Sequence, residues 1–193
     1  MIKKVVLTGG PCSGKTSVLN NIATLFPERV VLIPEMASLV ALSNIPRDSE
    51  LDRLHFQTAI FELQLFYEQL MHAQADRLNR NIICDRGTLD GAAYWPRGDF
   101  CQAFKTTREL EYQKYDLVIF LSSLSSELPE KYAAVECHSA RTESAQEALA
   151  LQEKLLNIWS AHPNIKYIQG SFENIADKVQ AVLTILLAEN IIC

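Results

Sequence analysis

Five short apolar, β-branched runs punctuate the chain: "VVLT" near the start, then "RVVLIPE", "NIICDRG", "YDLVIFLSS" and "IKYIQG". Each predicts a strand. The stretches between them carry apolar residues at helical spacing, over roughly 14 to 26, 50 to 80, a segment after 142, and 172 to 189. Strands that alternate with helices predict an α/β fold, a parallel sheet covered on both faces. Ligands of such sheets bind at the carboxyl ends of the strands, so the residues at those ends are the first candidates for chemistry.

The longest helical pattern is the stretch from 50 to 80. Leu51, Leu54, Ala59, Leu63, Phe66, Leu70 and Ala73 recur at spacings of three to five, and Phe56, Ile60 and Met71 widen the stripe. This predicts a helix packed on the sheet, capped at Asp48 or Ser49. The segment from 123 to 142 is polar, contains Pro129 and has no regular period. A loop of that length in a compact domain predicts a lid or binding segment. The following "TESAQEALALQEKLLNIWSA" reads as a helix with Thr142 as its cap and Ser144 and Glu147 in its first turns.

Composition narrows the function classes. The chain has 193 residues, 48% of them hydrophobic, and a net charge of −5. This fits a globular domain spanning residues 1–193 and argues against a general nucleic-acid binder. Cys12, Cys84, Cys101, Cys137 and Cys193 form no C-x-x-C pair. Neither a disulfide framework nor a zinc site is expected, and a reducing, cytoplasmic setting is. Cys84 reads as core, and Cys12 as a small residue that fits its loop. "MIKK" carries no signal-peptide core, and no apolar run reaches membrane-spanning length, so no transmembrane segment is expected.

One stretch speaks to chemistry directly. "GGPCSGKTS", Gly9 to Ser17, lies between the first strand and the first helix. Gly9, Gly14, Lys15 and Thr16 fit G-x-x-x-x-G-K-[ST], the P-loop pattern, in its required context. Gly9, Gly10, Pro11, Cys12, Ser13, Gly14, Lys15, Thr16 and Ser17 are thus candidate phosphate-cradling residues. Lys15 can reach the β- and γ-phosphates and Thr16 can offer its hydroxyl to Mg²⁺. A nucleoside triphosphate and Mg²⁺ are the expected ligands. No N-K-x-D guanine signature is present, which favours ATP and leaves GTP open.

At the other strand ends stand two acids. Asp85 follows "NIIC", where an acid beside a P-loop strand can bind Mg²⁺, directly or through water; it can also simply cap a turn. Glu35 ends the second strand after Pro34, where it can take a proton from a hydroxyl nucleophile or merely start the next helix. Which of the two serves the metal stays open. Arg86 and Arg141 are candidates to offset charge on a transferring phosphoryl group, Arg141 from the lid end.

Assembled, "GGPCSGKTS", "IPEMAS", "FQTAIFELQ", "CDRGTLDGAAYW" and "ARTESAQEA" make the chain similar to the nucleoside and nucleotide kinase group of P-loop NTPases. Within that group it most resembles the AAA_28 family of NadR-like ATPases and kinases. The resemblance implies a three-layer α/β/α sandwich with a five-stranded parallel sheet of order 2-3-1-4-5. It implies that Glu35 contacts the acceptor hydroxyl and that Gln57 reads a nucleobase. It also implies that Asp85 and Arg86 form the third-strand acid–arginine pair, that Arg141 is the lid arginine, and that Gly170 and Ser171 line the nucleotide base. The leading expectation is transfer of the γ-phosphoryl group of ATP to a hydroxyl of a small nucleoside-like acceptor. The alternative is a nucleotide-dependent switch module that binds a partner or a lipid headgroup.

Overall fold

The computed structural model describes residues 1–123, 144–169 and 175–192. The strands are β1 (Lys4–Gly9), β2 (Val30–Ile33), β3 (Asn81–Asp85), β4 (Leu117–Leu121) and β5 (Ile165–Ile168). They form one parallel sheet in the order β2-β3-β1-β4-β5, as expected for a P-loop NTPase fold. Helices α1 (Lys15–Leu25), α2 (Met36–Ala41), α3 (Glu50–Leu78), α4 (Phe100–Ala103), α5 (Arg108–Tyr112), α6 (Ala145–Trp159) and α7 (Ile175–Ala188) connect or flank the strands. A 3-10 helix, Thr88–Tyr94, follows β3.

Alternation along the strands divides the core in two. Val6, Ile82, Cys84, Val118 and Phe120 face a cluster with Phe61, Leu89, Leu155 and Trp159. Val5, Leu7, Ile83, Ile119 and Leu121 face one with Val18, Ile22, Val182 and Leu186. Helices α3 and α6 therefore cover one face of the sheet, and α1 and α7 cover the other. Both faces are dry, which is why the central strands read as unbroken apolar runs. Among the described residues no helix is long and apolar enough to cross a membrane.

One helix cap is as expected and one changes. Ser49 caps α3, and Asp52 reciprocates in a capping box. Helix α6 is capped by Ser144, which accepts from the Glu147 backbone N–H; Thr142, expected as the cap, lies outside the described residues. The buried face of α3 also differs from the apolar stripe. Leu51, Phe66 and Leu70 are exposed, whereas Phe56, Phe61, Gln64, Glu68 and Ala75 are buried. Polar Gln64 and Glu68 lie inward because they find partners there: Lys4 Nζ donates to Glu68 Oε2 at 2.9 Å, and Tyr115 Oη and Gln64 Nε2 each donate to Oε1 at 2.7 Å. A polar side chain is buried at low cost when its hydrogen bonds are met, and hydrophobic periodicity cannot show that.

Candidate functional site

The phosphate loop begins where β1 runs out. Gly9 has φ +141°, and a Cβ there would stand 2.1 Å from the Leu121 carbonyl oxygen of β4, so the position admits only glycine. Gly14, at φ +86°, is left-handed and caps α1 without a side-chain hydrogen bond; no acid stands in the first turn. The opening N–H groups of α1 and its dipole are thus presented for an anion. Lys15 is buried and arches back over the loop. Its Nζ donates to the carbonyls of Gly9 (3.1 Å) and Gly10 (3.0 Å) and to Ser13 Oγ (2.9 Å). Thr16 and Ser17 are exposed on the first turn. Cys12 is disulfide-bonded, while Cys84 and Cys101 are free thiols. That corrects the reading of Cys12 as only a small loop residue; its partner lies outside the described residues.

Asp85 pairs in register with Leu7, two residues before Gly9. Its side chain is buried, and Oδ1 has no hydrogen-bond partner among the described residues. Burial pushes its pKa up from 3.8 to about 6, opposed by Lys15 and Arg86 and reinforced by Glu35 and Asp90. A buried carboxylate oxygen without a partner is costly, and a hydrated cation beside the phosphate loop would relieve it. Among the described residues no three His, Cys, Asp or Glu side chains cluster as a metal cage. Mg²⁺ uses one or two protein ligands and takes the rest from phosphate and water. Asp85 and the Thr16 hydroxyl are the groups that would hold it.

Glu35 and Arg86 meet across the β2–β3 boundary. Arg86 Nε donates to Glu35 Oε1 at 2.7 Å, and Ser38 Oγ donates to Glu35 Oε2 at 2.6 Å. Arg86 Nη1 also donates to Asp90 Oδ1 (3.2 Å) and to the Gly9 carbonyl (3.4 Å), and its guanidinium lies 5.7 Å from the Tyr94 ring centroid. Arg86 has φ +72°, rare for a side chain of its size; its backbone N–H donates to Leu7 O and its carbonyl accepts from Gln64 Nε2. Arg86 thus ties the start of the phosphate loop to the strand-two acid.

Asp90, for which the sequence suggested no role, is the hub beneath them. Besides Arg86, its carboxylate accepts from Thr8 Oγ1 (2.5 Å), the Gly87 backbone N–H (3.0 Å) and Trp159 Nε1 (3.0 Å). The "DRG-x-x-DG" spacing could have flagged it, because a 3-10 turn brings the second aspartate back beneath the first glycine.

A cavity of about 490 Å³ opens from the phosphate loop at Pro11 and Thr16. It runs between α2, α3 and the 3-10 helix, and Glu35, Arg86 and Gln57 all line it. Three expected site residues from three separated segments therefore share one wall. Asp85 is not part of that wall and sits under the loop. Arg47, Arg53, Phe56 and Tyr94 also line the cavity and were not anticipated. Arg141, Gly170, Ser171 and all of the expected lid segment except its first residue, Ser123, lie outside the described residues.

No curated protein matches the chain. The model of the AAA_28 family, described as an AAA domain, matches residues 4–178. Together with the 2-3-1-4-5 sheet and the phosphate loop on β1, this match shows that the chain belongs to the AAA_28 family of P-loop NTPase-like domains.

Proposed function

We propose that the protein is an ATP-dependent small-molecule kinase. One observation carries the reading: a cavity opens from the phosphate loop at Pro11 and Thr16, with Glu35 and Arg86 on its wall. A nucleotide switch needs a phosphate site and a mobile segment; a kinase also needs room for an acceptor beside the γ-phosphate.

The chain's own groups divide the work. The α1 N-terminus, Gly14 and Lys15 hold and orient the triphosphate, with Lys15 exchanging its loop partners for phosphate oxygens. Arg141, Gly170 and Ser171 are assigned to the nucleotide on resemblance. Mg²⁺, when bound at Thr16 and Asp85, neutralises phosphate charge. Glu35 positions the acceptor hydroxyl and accepts its proton as the acceptor oxygen bonds to the γ-phosphorus. The bridging P–O bond to the β-phosphate breaks, and ADP leaves with the electron pair. Arg86 aims Glu35 through the hydrogen bond from its Nε. Gln57, farther along the cavity wall, reads a ring of the acceptor. Such a site works mainly by positioning and electrostatic preorganisation.

The switch-module reading is favoured by one detail: both Glu35 oxygens already accept hydrogen bonds, from Arg86 and Ser38. Screening nucleosides and related metabolites with γ-labelled ATP separates the two. Label transfer to an acceptor that Lys15→Ala abolishes supports the kinase. Tight, magnesium-dependent ATP binding with no transfer to any acceptor supports the switch.

A further inference from the structure

The same cavity carries information about the charge of what enters it. Five inward positions of α3 after Arg53 (Phe56, Gln57, Ile60, Phe61 and Gln64) make one wall, at spacings of three, four, seven, eight and eleven residues. Gln64 stands at the Arg86 end, where its Nε2 donates to the Arg86 carbonyl. Arg53 stands eleven residues earlier, about 16 Å away at the rise of an α-helix. The cavity is therefore elongated. Glu35 and Arg86 stand at the end nearest the phosphate loop, and Arg47 and Arg53 form the far rim.

Among the described residues, each rim arginine is positioned without a counter-ion. The Arg47 guanidinium lies 5.1 Å from the centroid of the Phe56 ring, and Arg53 Nη1 donates to the Asp48 carbonyl at 3.3 Å. Among the described residues no carboxylate lies within ion-pair distance of either. The nearby acids are engaged elsewhere: Asp52 with the Ser49 N–H and hydroxyl, Glu50 with Arg97 at 3.1 Å, and Glu35 with Arg86 at 2.7 Å. The Asp48 side chain pairs with neither arginine. Two forked cations at one end of a pocket suit a phosphomonoester, which carries about −1.5 to −2 charges at pH 7 and three acceptor oxygens. A carboxylate would offset only one of them. Between the rim and Glu35 the wall carries Phe56, Ile60, Phe61 and Tyr94 together with the amide of Gln57, and this suits the body of a ring.

We propose that the Arg47–Arg53 rim binds a phosphomonoester, so that the acceptor is a hydroxyl-bearing ring compound of the nucleoside monophosphate class rather than a neutral nucleoside. The rim phosphate takes no part in transfer. The acceptor hydroxyl oxygen bonds to the γ-phosphorus, its proton passes to Glu35, and ADP departs. This inference rests on the reading of the cavity as the acceptor site.

The test compares the four common ribonucleosides with their 5′-monophosphates. Binding is measured calorimetrically with the phosphate loop saturated by a non-hydrolysable ATP analogue and Mg²⁺; transfer from γ-labelled ATP is measured separately. At least one monophosphate should bind about 10- to 100-fold tighter than its parent nucleoside, the range expected for charge-assisted hydrogen bonds. The doubly substituted Arg47→Gln, Arg53→Gln protein should erase that difference and leave affinity for the ATP analogue unchanged. Both side chains are exposed, so the fold should survive, and circular dichroism checks this. Equal binding of nucleosides and monophosphates by the wild type overturns the proposal. So does a double variant that keeps the preference or weakens both classes alike, or a panel in which nothing binds. Monophosphates that bind through the rim but accept no label leave the rim assignment standing and refute the kinase. Neutral nucleosides that accept label while monophosphates neither bind nor react support the kinase and refute the rim.

Discussion

Replacing Asp85 by Asn should make the nucleotide-free protein more stable and its metal-dependent function worse. Asp85 is buried, and its Oδ1 lacks a partner among the described residues. Its pKa is pushed from 3.8 to about 6, chiefly by burial. The shift, 6 − 3.8, is about 2 units, and each unit is worth 1.36 kcal/mol, so the ionised carboxylate costs the fold about 3 kcal/mol. An acid whose folded pKa is raised favours the folded state only while protonated. Its cost is absent below about pH 4, where both states hold the proton, grows between about pH 4 and 6, and is complete above about pH 6. Asp85→Asn should therefore stabilise the free protein by up to about 3 kcal/mol near pH 7.5, less whatever the new amide loses by its own unmet hydrogen bonds. In a chain of this size that is a rise in Tm of about 5 to 10 °C. Near pH 4 the two proteins should melt together. With Mg²⁺ and ATP the order should reverse, because the wild type gains stability by binding both and the variant gains less. Urea titrations at the two pH values and thermal melts with and without MgATP measure all of this. A variant no more stable than wild type near pH 7.5, or a difference independent of pH, would refute the argument that Asp85 is held at a cost for a cation.

The other expectations follow from the same geometry. Lys15→Ala should abolish productive triphosphate binding, read by titration of labelled ATP; it also removes the Nζ donor from the Gly9 and Gly10 carbonyls and the Ser13 hydroxyl, leaving Gly9 only the longer bond from Arg86, so stability should fall by about 1 to 3 kcal/mol. Glu35→Gln should lower transfer to the true acceptor by about a hundredfold to ten-thousandfold with ATP affinity nearly unchanged; wild-type turnover would remove Glu35 as the base. Asp90→Ala strips four donors of their common acceptor and should cost about 3 to 5 kcal/mol in urea titration, the range for breaking a buried ion pair. Gly9→Ala sets a Cβ 2.1 Å from the Leu121 carbonyl oxygen, so the variant should yield little folded protein or melt far below wild type.

Local chemistry determined much of this protein in advance. The five strands and the phosphate loop are legible because each is a contiguous pattern: an unbroken apolar run for a strand buried on both faces, and glycines at fixed offsets where a loop must crowd N–H groups together. Glu35 and Asp85 were visible because a parallel sheet collects the carboxyl ends of its strands at one edge. Only tertiary structure decided what the inward polar residues do. Asp90 accepts from Thr8, 82 residues away, and from Trp159, 69 residues away, and no local pattern marks such a meeting. Gln64 and Glu68 lie outside the apolar stripe of α3, yet both are buried: Lys4 and Tyr115 reach Glu68 from other segments, and Gln64 donates to Glu68 and to the Arg86 carbonyl. Arg47 meets the Phe56 ring only because α3 brings Phe56 under its guanidinium. A side chain's polarity is written in the sequence; whether the fold supplies it with a partner depends on which segments the sheet brings together.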